Sequence, residues 1–310
     1  MTELRAALTD YLELRRSLGF TLRRDAKLLI QFLDWLEGQD KHTITVADAL
    51  VWVRLPENAS PSWLRARMGP LRGFATYLHT LDPAVEVPAP GLFGGPPARA
   101  VPYLYSDTEI IMLIEQTASL STALRRATIA TLIGLLAVTG MRQGEVIALD
   151  DIDFDATRGL LVVRRGKAGK SRQIPLHPTT TAALKSYRTV RDRAFPKPVS
   201  EALLVSAAGT RLLSCNVGHA FRRMVRQAGL TARSPRCRPR PHDLRHTFAV
   251  ATLLDWYRDG GDVAARLPLL STYLGHVSPE HTYWYLHAAP ELMAEAAGRL
   301  ERYAAQGGRS

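Results

Sequence analysis

Cysteine is nearly absent: Cys215 and Cys237 are the only two in 310 residues. Two thiols cannot staple a chain of this size, and neither has the spacing or neighbours of a zinc site, which fits a reducing cytoplasm. No apolar run approaches the roughly 20 residues that a membrane span needs. The longest, Ala127 to Val138 around Leu132 and Leu135, reads as a buried helix. The N-terminus lacks the apolar core of a signal peptide, since Glu3, Arg5, Asp10, Glu13, Arg15 and Arg16 stand among its leucines. The expectation is a cytoplasmic protein with no membrane partner. The most telling shortage is of acids. Between Ala156 and His242 there are only Asp192 and Glu201, against nineteen Lys and Arg. That stretch carries +17 in a chain of net charge +11, so the remainder carries −6.

Solubility needs only a modest net charge, and so many unbalanced cations in one stretch repel each other unless a polyanion is nearby, which points to nucleic acid. At 310 residues the chain exceeds what one hydrophobic core usually supports, so two domains are expected. A composition of 46% hydrophobic and 22% charged residues excludes disorder over most of the length.

Residues 1–81 read as a four-helix domain. Leu8, Tyr11, Leu12 and Leu18 mark one helix, and Leu28, Leu29, Phe32, Leu33 and Leu36 the next. A third runs from Thr45 through Trp52; Ser60-Pro61 opens a fourth that carries Trp63, Leu64, Leu71, Phe74 and Leu78, which Gly69-Pro70 should bend or interrupt. Residues 82–102 hold six prolines with Gly91, Gly94 and Gly95 and read as an extended linker. In 103–310, Ser106-Asp107-x-Glu109 has the spacing of a capping box, and an apolar helix 125–139 ends at Gly140. Leu160–Arg164 and Arg172–Leu176 flank Gly166-Lys167-Ala168-Gly169-Lys170, a β-hairpin with a glycine-rich cationic tip. Further helices are expected at 178–193, 215–229, 242–258, 263–274 and 280–303. The fold class is therefore mainly α with a small antiparallel β-sheet.

Four segments carry potential chemistry: Thr139-Gly140-Met141-Arg142-Gln143-Gly144-Glu145, the hairpin lysines, Pro241-His242-Asp243-Leu244-Arg245-His246-Thr247, and Leu274-Gly275-His276 followed nine residues on by Tyr285. Taken in this order they resemble the tyrosine recombinase (phage integrase) family. The resemblance implies a catalytic set of Arg142, Lys167, His242, Arg245, His276 and Tyr285, with Glu145 orienting a neighbouring Arg or His. It also implies an N-terminal core-binding domain and a C-terminal catalytic domain that bind double-stranded DNA bearing inverted-repeat half-sites. A homotetramer would assemble on two such sites, and the helix after Tyr285, with Met293, Ala297 and Leu300 on one face, would dock on a neighbour. No metal and no cofactor is expected.

The chemistry suits these residue types. A phenol of pKa near 10 is a better leaving group than a serine alkoxide, so a tyrosyl phosphodiester can be reversed. Charge growing on the phosphate is met by bidentate guanidiniums, here Arg142 and Arg245. Lys167, or in competition Lys170, would protonate the departing 5′-oxygen. His242 and Arg245, three apart after Pro241, share a face near a positive helix end. His276 would donate to a nonbridging oxygen.

Each of these residues also has a blander reading. Arg142 could be a solvated helix-end cation. Gly169-Lys170-Ser171 mimics a nucleotide loop, but the earlier glycine would fall at Arg164 and a strand follows. His242 and His246 mimic a zinc pair, but Arg245 between them would set a cation beside the metal. Tyr283 and Trp284 read as core packing. His276 follows Arg245 by 31 positions, a long interval that implies an enlarged loop or an extra helical turn. The Arg-rich stretch 233–240 reads as an extended arm on phosphates. Lys170, Arg172, Arg233, Arg236, Arg238 and Arg240 are thus the expected DNA contacts. The rivals are a type IB topoisomerase, sharing the chemistry but religating one strand, and a silent DNA-binding regulator on the same scaffold.

Overall fold

The computed structural model describes residues 3–95, 100–164, 171–276, 278, 280–286, 294, 295, 297 and 298. The chain divides into two compact units, Met1–Arg99 and Ala100–Ser310.

The first unit contains α1 (Glu3–Ser17), α2 (Arg23–Glu37), α3 (Val46–Arg54) and α4 (Pro61–His79). The Thr45 hydroxyl accepts the Asp48 N–H, and the Ser60 hydroxyl accepts that of Trp63 with Pro61 in the first turn, so both starts expected from the sequence are capped. The apolar positions Leu8, Tyr11, Leu12, Leu29, Phe32, Leu33, Leu36, Trp52, Phe74 and Leu78 close a common core. Two expectations fail. Leu18 lies past the end of α1 and is 65% exposed. Of the bend or interruption expected at Gly69-Pro70 the interruption does not occur: α4 is continuous through Pro70, where the carbonyl that loses its donor belongs to Ala66, an exposed residue whose carbonyl water can satisfy. The start of the expected linker folds back on this unit. Val85 is buried, Glu86 N–H donates to Ile44 O, Arg72 donates to Pro88 O and Ala89 O, and Arg65 donates to Phe93 O. Residues 82–95 are therefore a strap tied to the helices.

The second unit contains α5 (Asp107–Glu115), α6 (Ala123–Thr139), α7 (Gln143–Ala148), β1 (Phe154–Asp155), β2 (Leu160–Val163), β3 (Arg172–Pro175), α8 (Pro178–Ala194), α9 (Ser214–Gln227), α10 (Asp243–Arg258), α11 (Val263–Leu274) and α12 (Glu280–Leu286). Helix α6 is apolar nearly all round and forms the centre of the core, packing against α5, α8 and α10. The strands form an antiparallel sheet in the order β1-β2-β3, with Leu161 opposite Ile174 and Val163 opposite Arg172. Leu161, Val163 and Ile174 face the core. Two elements escaped the sequence reading, α7 with six residues and β1 with two, both too short for a hydrophobic period to register. A satellite cluster of Ala249, Val250, Leu253, Val263, Leu267, Leu270 and Leu274 joins α10 to α11 and receives Tyr285. The interval between Arg245 and His276 is spent on these two helices and the turn that joins them.

The Arg-rich stretch is not an extended arm. Arg233 N–H donates to Cys237 O and Cys237 N–H to Ser234 O, closing a tight turn, and the Cys237 side chain is buried in the main core. Helix α12 is described only to Leu286; the rest of the expected helix to 303, including Met293 and Leu300, lies outside the described residues except for a few positions such as Ala297. No helix among the described residues is long and apolar enough to cross a membrane.

Gly140 is the hinge between α6 and the residues that follow. Its φ of +59° lets its N–H close α6 on Leu136 O, and a Cβ there would sit 2.5 Å from Phe248 Cδ1 and 3.0 Å from Leu274 Cδ2. Left-handed strain and overpacking then act together, so Gly140→Ala is expected to destabilise the second unit by on the order of 3 kcal/mol. Urea unfolding followed by circular dichroism measures this. An unchanged midpoint would show that the Phe248 ring yields without cost.

Candidate catalytic site

Arg142 follows this left-handed turn and is the N-cap of α7. It is therefore not a solvated cation at a helix C-terminus. Its Nη1 donates to Glu145 Oε1 at 2.8 Å, its backbone N–H to Glu145 Oε2 at 3.0 Å, and its Nη2 to Gly275 O at 2.9 Å. Arg172, at the start of β3, approaches the same carboxylate from the other side. Its Nη1 reaches Oε1 at 3.1 Å, its Nη2 reaches Oε2 at 2.8 Å, and its Nε donates to Tyr273 O at 2.8 Å. Burial would raise the Glu145 pKa, but hydrogen bonds and charge from Arg172 and Arg142 outweigh it and hold the carboxyl at about 2.

Arg245 is 1% exposed on the first turn of α10. Its Nη1 donates to Gly140 O at 2.7 Å and its Nη2 to Leu274 O at 2.8 Å. Burial pulls its pKa down and the neighbouring Tyr285 and Glu145 oppose that pull; the net pKa is about 10, so Arg245 stays cationic at neutral pH. Three arginines thus cap three successive carbonyls, those of Tyr273, Leu274 and Gly275, at the end of α11.

His242 keeps solvent access on one side, but desolvation by the surrounding protein and the charges of Arg245, Arg240 and Arg142 push its pKa down to about 4. It is a neutral imidazole at physiological pH. Its ring centroid lies 4.9 Å from that of His246, and His246 lies 5.3 Å from Tyr285. His276 stands 6.0 Å from Tyr285 with rings nearly parallel, and its Nδ1 is 2.7 Å from the hydroxyl of buried Thr282. The fold therefore gathers Arg142, Glu145, His242, Arg245, His276 and Tyr285 around the end of α11. Lys167 and Lys170 lie outside the described residues.

The expected DNA contacts divide. Arg172 is 12% exposed and committed to Glu145 and α11, so it does not stand on the outer surface. Arg240 donates Nε and Nη2 to the two oxygens of fully buried Asp243, at 2.9 and 2.6 Å. Arg233, Arg236 and Arg238 are exposed, the first resting over the Tyr103 ring and paired with Glu109. The sequence reading left His246 to packing inside the domain, which holds, and it missed Thr282. His246 packs between His242 and Tyr285, a placement that its four-residue spacing from His242 already encoded. Thr282 orients His276, and nothing in the local pattern signalled it.

Comparison with known proteins shows the family to which the chain belongs. A sequence profile of the phage integrase family matches residues 107–291. A candidate integrase/recombinase of Sinorhizobium fredii, y4rB, is 41% identical, covering 97% of this chain and 98% of its own. Tyrosine recombinase XerD of Caulobacter vibrioides is 30% identical over 76% of this chain and 73% of its own. Among solved structures, XerH site-specific recombinase bound to a palindromic difH substrate in a post-cleavage complex is similar in fold, with a TM-score of 0.59, 20% identity, and coverage of 89% and 78%.

The depressed pKa values set two acid windows. His242 ordinarily titrates near 6.5 and here near 4, so the folded state loses stability as pH falls from 6.5 to 4, where only the unfolded chain takes the proton. Glu145, lowered from 4.5 to about 2, contributes stability above 4.5 that is lost as pH falls toward 2. Its full contribution is on the order of 3 kcal/mol. Unfolding free energies measured from pH 7 to 3 should therefore show a shallower fall between 6.5 and 4 in His242→Asn than in the parent. Glu145→Gln should differ from the parent in slope only below 4.5. Parallel curves for parent and His242→Asn would refute the assignment.

Proposed function

We propose that this chain, which belongs to the phage integrase family and is a tyrosine-type DNA strand transferase, is a site-specific recombinase that cuts and rejoins two duplexes through a 3′-phosphotyrosyl link on Tyr285. The observation that carries the reading is buried Tyr285 with its ring 5.3 Å from His246 and 6.0 Å from His276, beside the end of α11 where Arg245 and Arg142 are held on successive carbonyls. A scissile phosphate held by both guanidiniums would lie against the attacking oxygen, and growing charge on its nonbridging oxygens would be met by fixed donors. His276 adds a donor, and neutral His242 can give or take a proton. Lys167 protonates the departing 5′-oxygen, leaving a free 5′-hydroxyl that attacks the phosphotyrosyl link of the partner duplex. Each step exchanges one phosphoester for another, so the bond energy is conserved and the reaction consumes no ATP. The positive charge required comes from arginine, so no metal is needed.

The partner is double-stranded DNA with inverted-repeat half-sites, a reading supported by the palindromic substrate of XerH. Exchange between two sites calls for four protomers. Arg233, Arg236 and Arg238 together with Lys170 supply phosphate contacts, residues 1–81 act as a core-binding domain joined through 82–102 to the catalytic domain 103–310, and the segment after Tyr285 docks on a neighbour. The work is done in the cytoplasm on a mobile element, in keeping with the integrase/recombinase name of the Sinorhizobium relative.

Nicked duplexes cut from the DNA flanking its gene, incubated without ATP and with a chelator, should trap a covalent adduct on denaturing gels. Tyr285→Phe should bind these duplexes but form no adduct, since only the nucleophilic oxygen is lost, whereas Tyr283→Phe should still form one. An adduct that persists in Tyr285→Phe would move the nucleophile elsewhere.

The proton donor is tested with sulfur in place of the 5′-bridging oxygen, a leaving group that needs no proton. Lys167→Ala should then cleave the sulfur substrate nearly as fast as the parent and the oxygen substrate at least 100-fold more slowly, near the low end of what general acid catalysis typically supplies, about 10²–10⁴-fold. Rescue seen in Lys170→Ala instead would transfer the role to Lys170.

A further inference from the structure

We infer that Arg172 is a positioning residue of the strand-transfer site, acting through Glu145 and the end of α11 to hold Arg142 in its phosphate-binding pose; the inference rests on the recombinase reading above. A basic residue two positions after Lys170, within a stretch of +17, reads from sequence as a phosphate contact. The fold turns it inward. Three of its five N–H groups are spent on two elements that are remote in sequence, Glu145 on α7 and Tyr273 O on α11.

The geometry is a closed ring. Arg172 bridges both oxygens of Glu145, the same two oxygens hold the side chain and backbone N–H of Arg142, Arg142 donates to Gly275 O, and two residues back Tyr273 O returns to Arg172. Removing any one link frees the others to rotate. Gly275 shows how tightly the ring closes: its φ is +69°, and a Cβ there would lie 2.9 Å from Arg172 Nη1. The absence of a side chain at 275 is what admits the guanidinium beside the end of α11. A lysine at 172 would keep the charge but could not span a carboxylate and a carbonyl together.

A carboxylate that touched only Arg142 would also pull charge away from the phosphate. With Arg172 sharing it, Glu145 is balanced by a cation that binds no substrate, and the charge of Arg142 remains available. Arg172 therefore compensates Glu145 as well as fixing it in place.

The test is a double-mutant cycle on single-turnover cleavage at saturating DNA, with binding measured separately on the same nicked duplexes. Arg172→Gln and Arg172→Lys should each lower the cleavage rate by about 10-fold or more and change the DNA dissociation constant by less than about 3-fold. In an Arg142→Ala background, the same substitutions should cost less than about 3-fold further, because the group they position is gone. Additive losses would overturn the proposal by showing that Arg172 acts on its own account. Weakened binding with an unchanged saturated rate and a shallower salt dependence would overturn it in favour of a plain phosphate contact. Melting curves accompany each variant, and unfolding of both at the assay temperature would also overturn it by assigning Arg172 to the fold. A parent that forms no covalent adduct would instead sink the recombinase reading itself, before any variant is compared.

Discussion

The site depends on one structural fact: the last carbonyls of α11 have no donors within their own helix and recruit arginines from three other places in the chain. Tyr273 O takes Arg172 from β3, Leu274 O takes Arg245 from α10, and Gly275 O takes Arg142 from the start of α7. A helix C-terminus carries partial negative charge and orphan acceptors, so cations gathered there are stabilised by both. Each arginine spends part of its fork on a carbonyl. A direction in space is thereby fixed for the N–H groups that remain.

Such a cluster would ordinarily be costly. Arg245 is almost wholly removed from water, and an unpaired buried cation is strongly unfavourable. Two backbone carbonyls and the Tyr285 phenol offset that cost without neutralising the charge. Glu145 is the one acid hydrogen-bonded to Arg142 and Arg172 among the described contacts, so three guanidiniums against one carboxylate leave a surplus of two positive charges. Desolvation first, and then the charges of Arg245, Arg240 and Arg142, keep His242 neutral. A group of this kind suits a ligand that brings two or so negative charges of its own, and the proposed scissile phosphate with its transition-state charge is such a ligand. Asp243, the other buried acid nearby, is engaged by Arg240 and steadies the start of α10.

Much of the fold was legible in the chain. The capping signals at Thr45, Ser60 and Ser106 each begin a helix at the expected place, because a cap is a local bond between residues three apart. Gly140 ends α6 as read, and the apolar run around Leu132 is the buried centre of the second unit. What failed was also instructive. Gly69-Pro70 should have bent or interrupted α4 on local grounds, yet the helix is continuous there, with the unpaired carbonyl on exposed Ala66. The Pro-rich stretch after α4 looked like a tether, yet its apolar Val85 and its free carbonyls found partners on the bundle.

By itself, the sequence determined the order of the candidate residues: an Arg two after the glycine that ends α6, lysines between two short apolar runs, a His and an Arg three apart, and a His nine residues before a Tyr. Those are properties of type and spacing, and they survive without coordinates. Only the tertiary structure decided which arginines face outward. Arg172 stands in the same basic stretch as Arg236 and Arg238, but it turned inward to acceptors at Glu145 and Tyr273, both remote from it in the chain, whereas the pairing of Arg240 with Asp243 is local, three residues apart. A guanidinium goes where unsatisfied buried acceptors wait, and the location of those acceptors is a property of how α7, β3, α10 and α11 converge, which no window of residues contains.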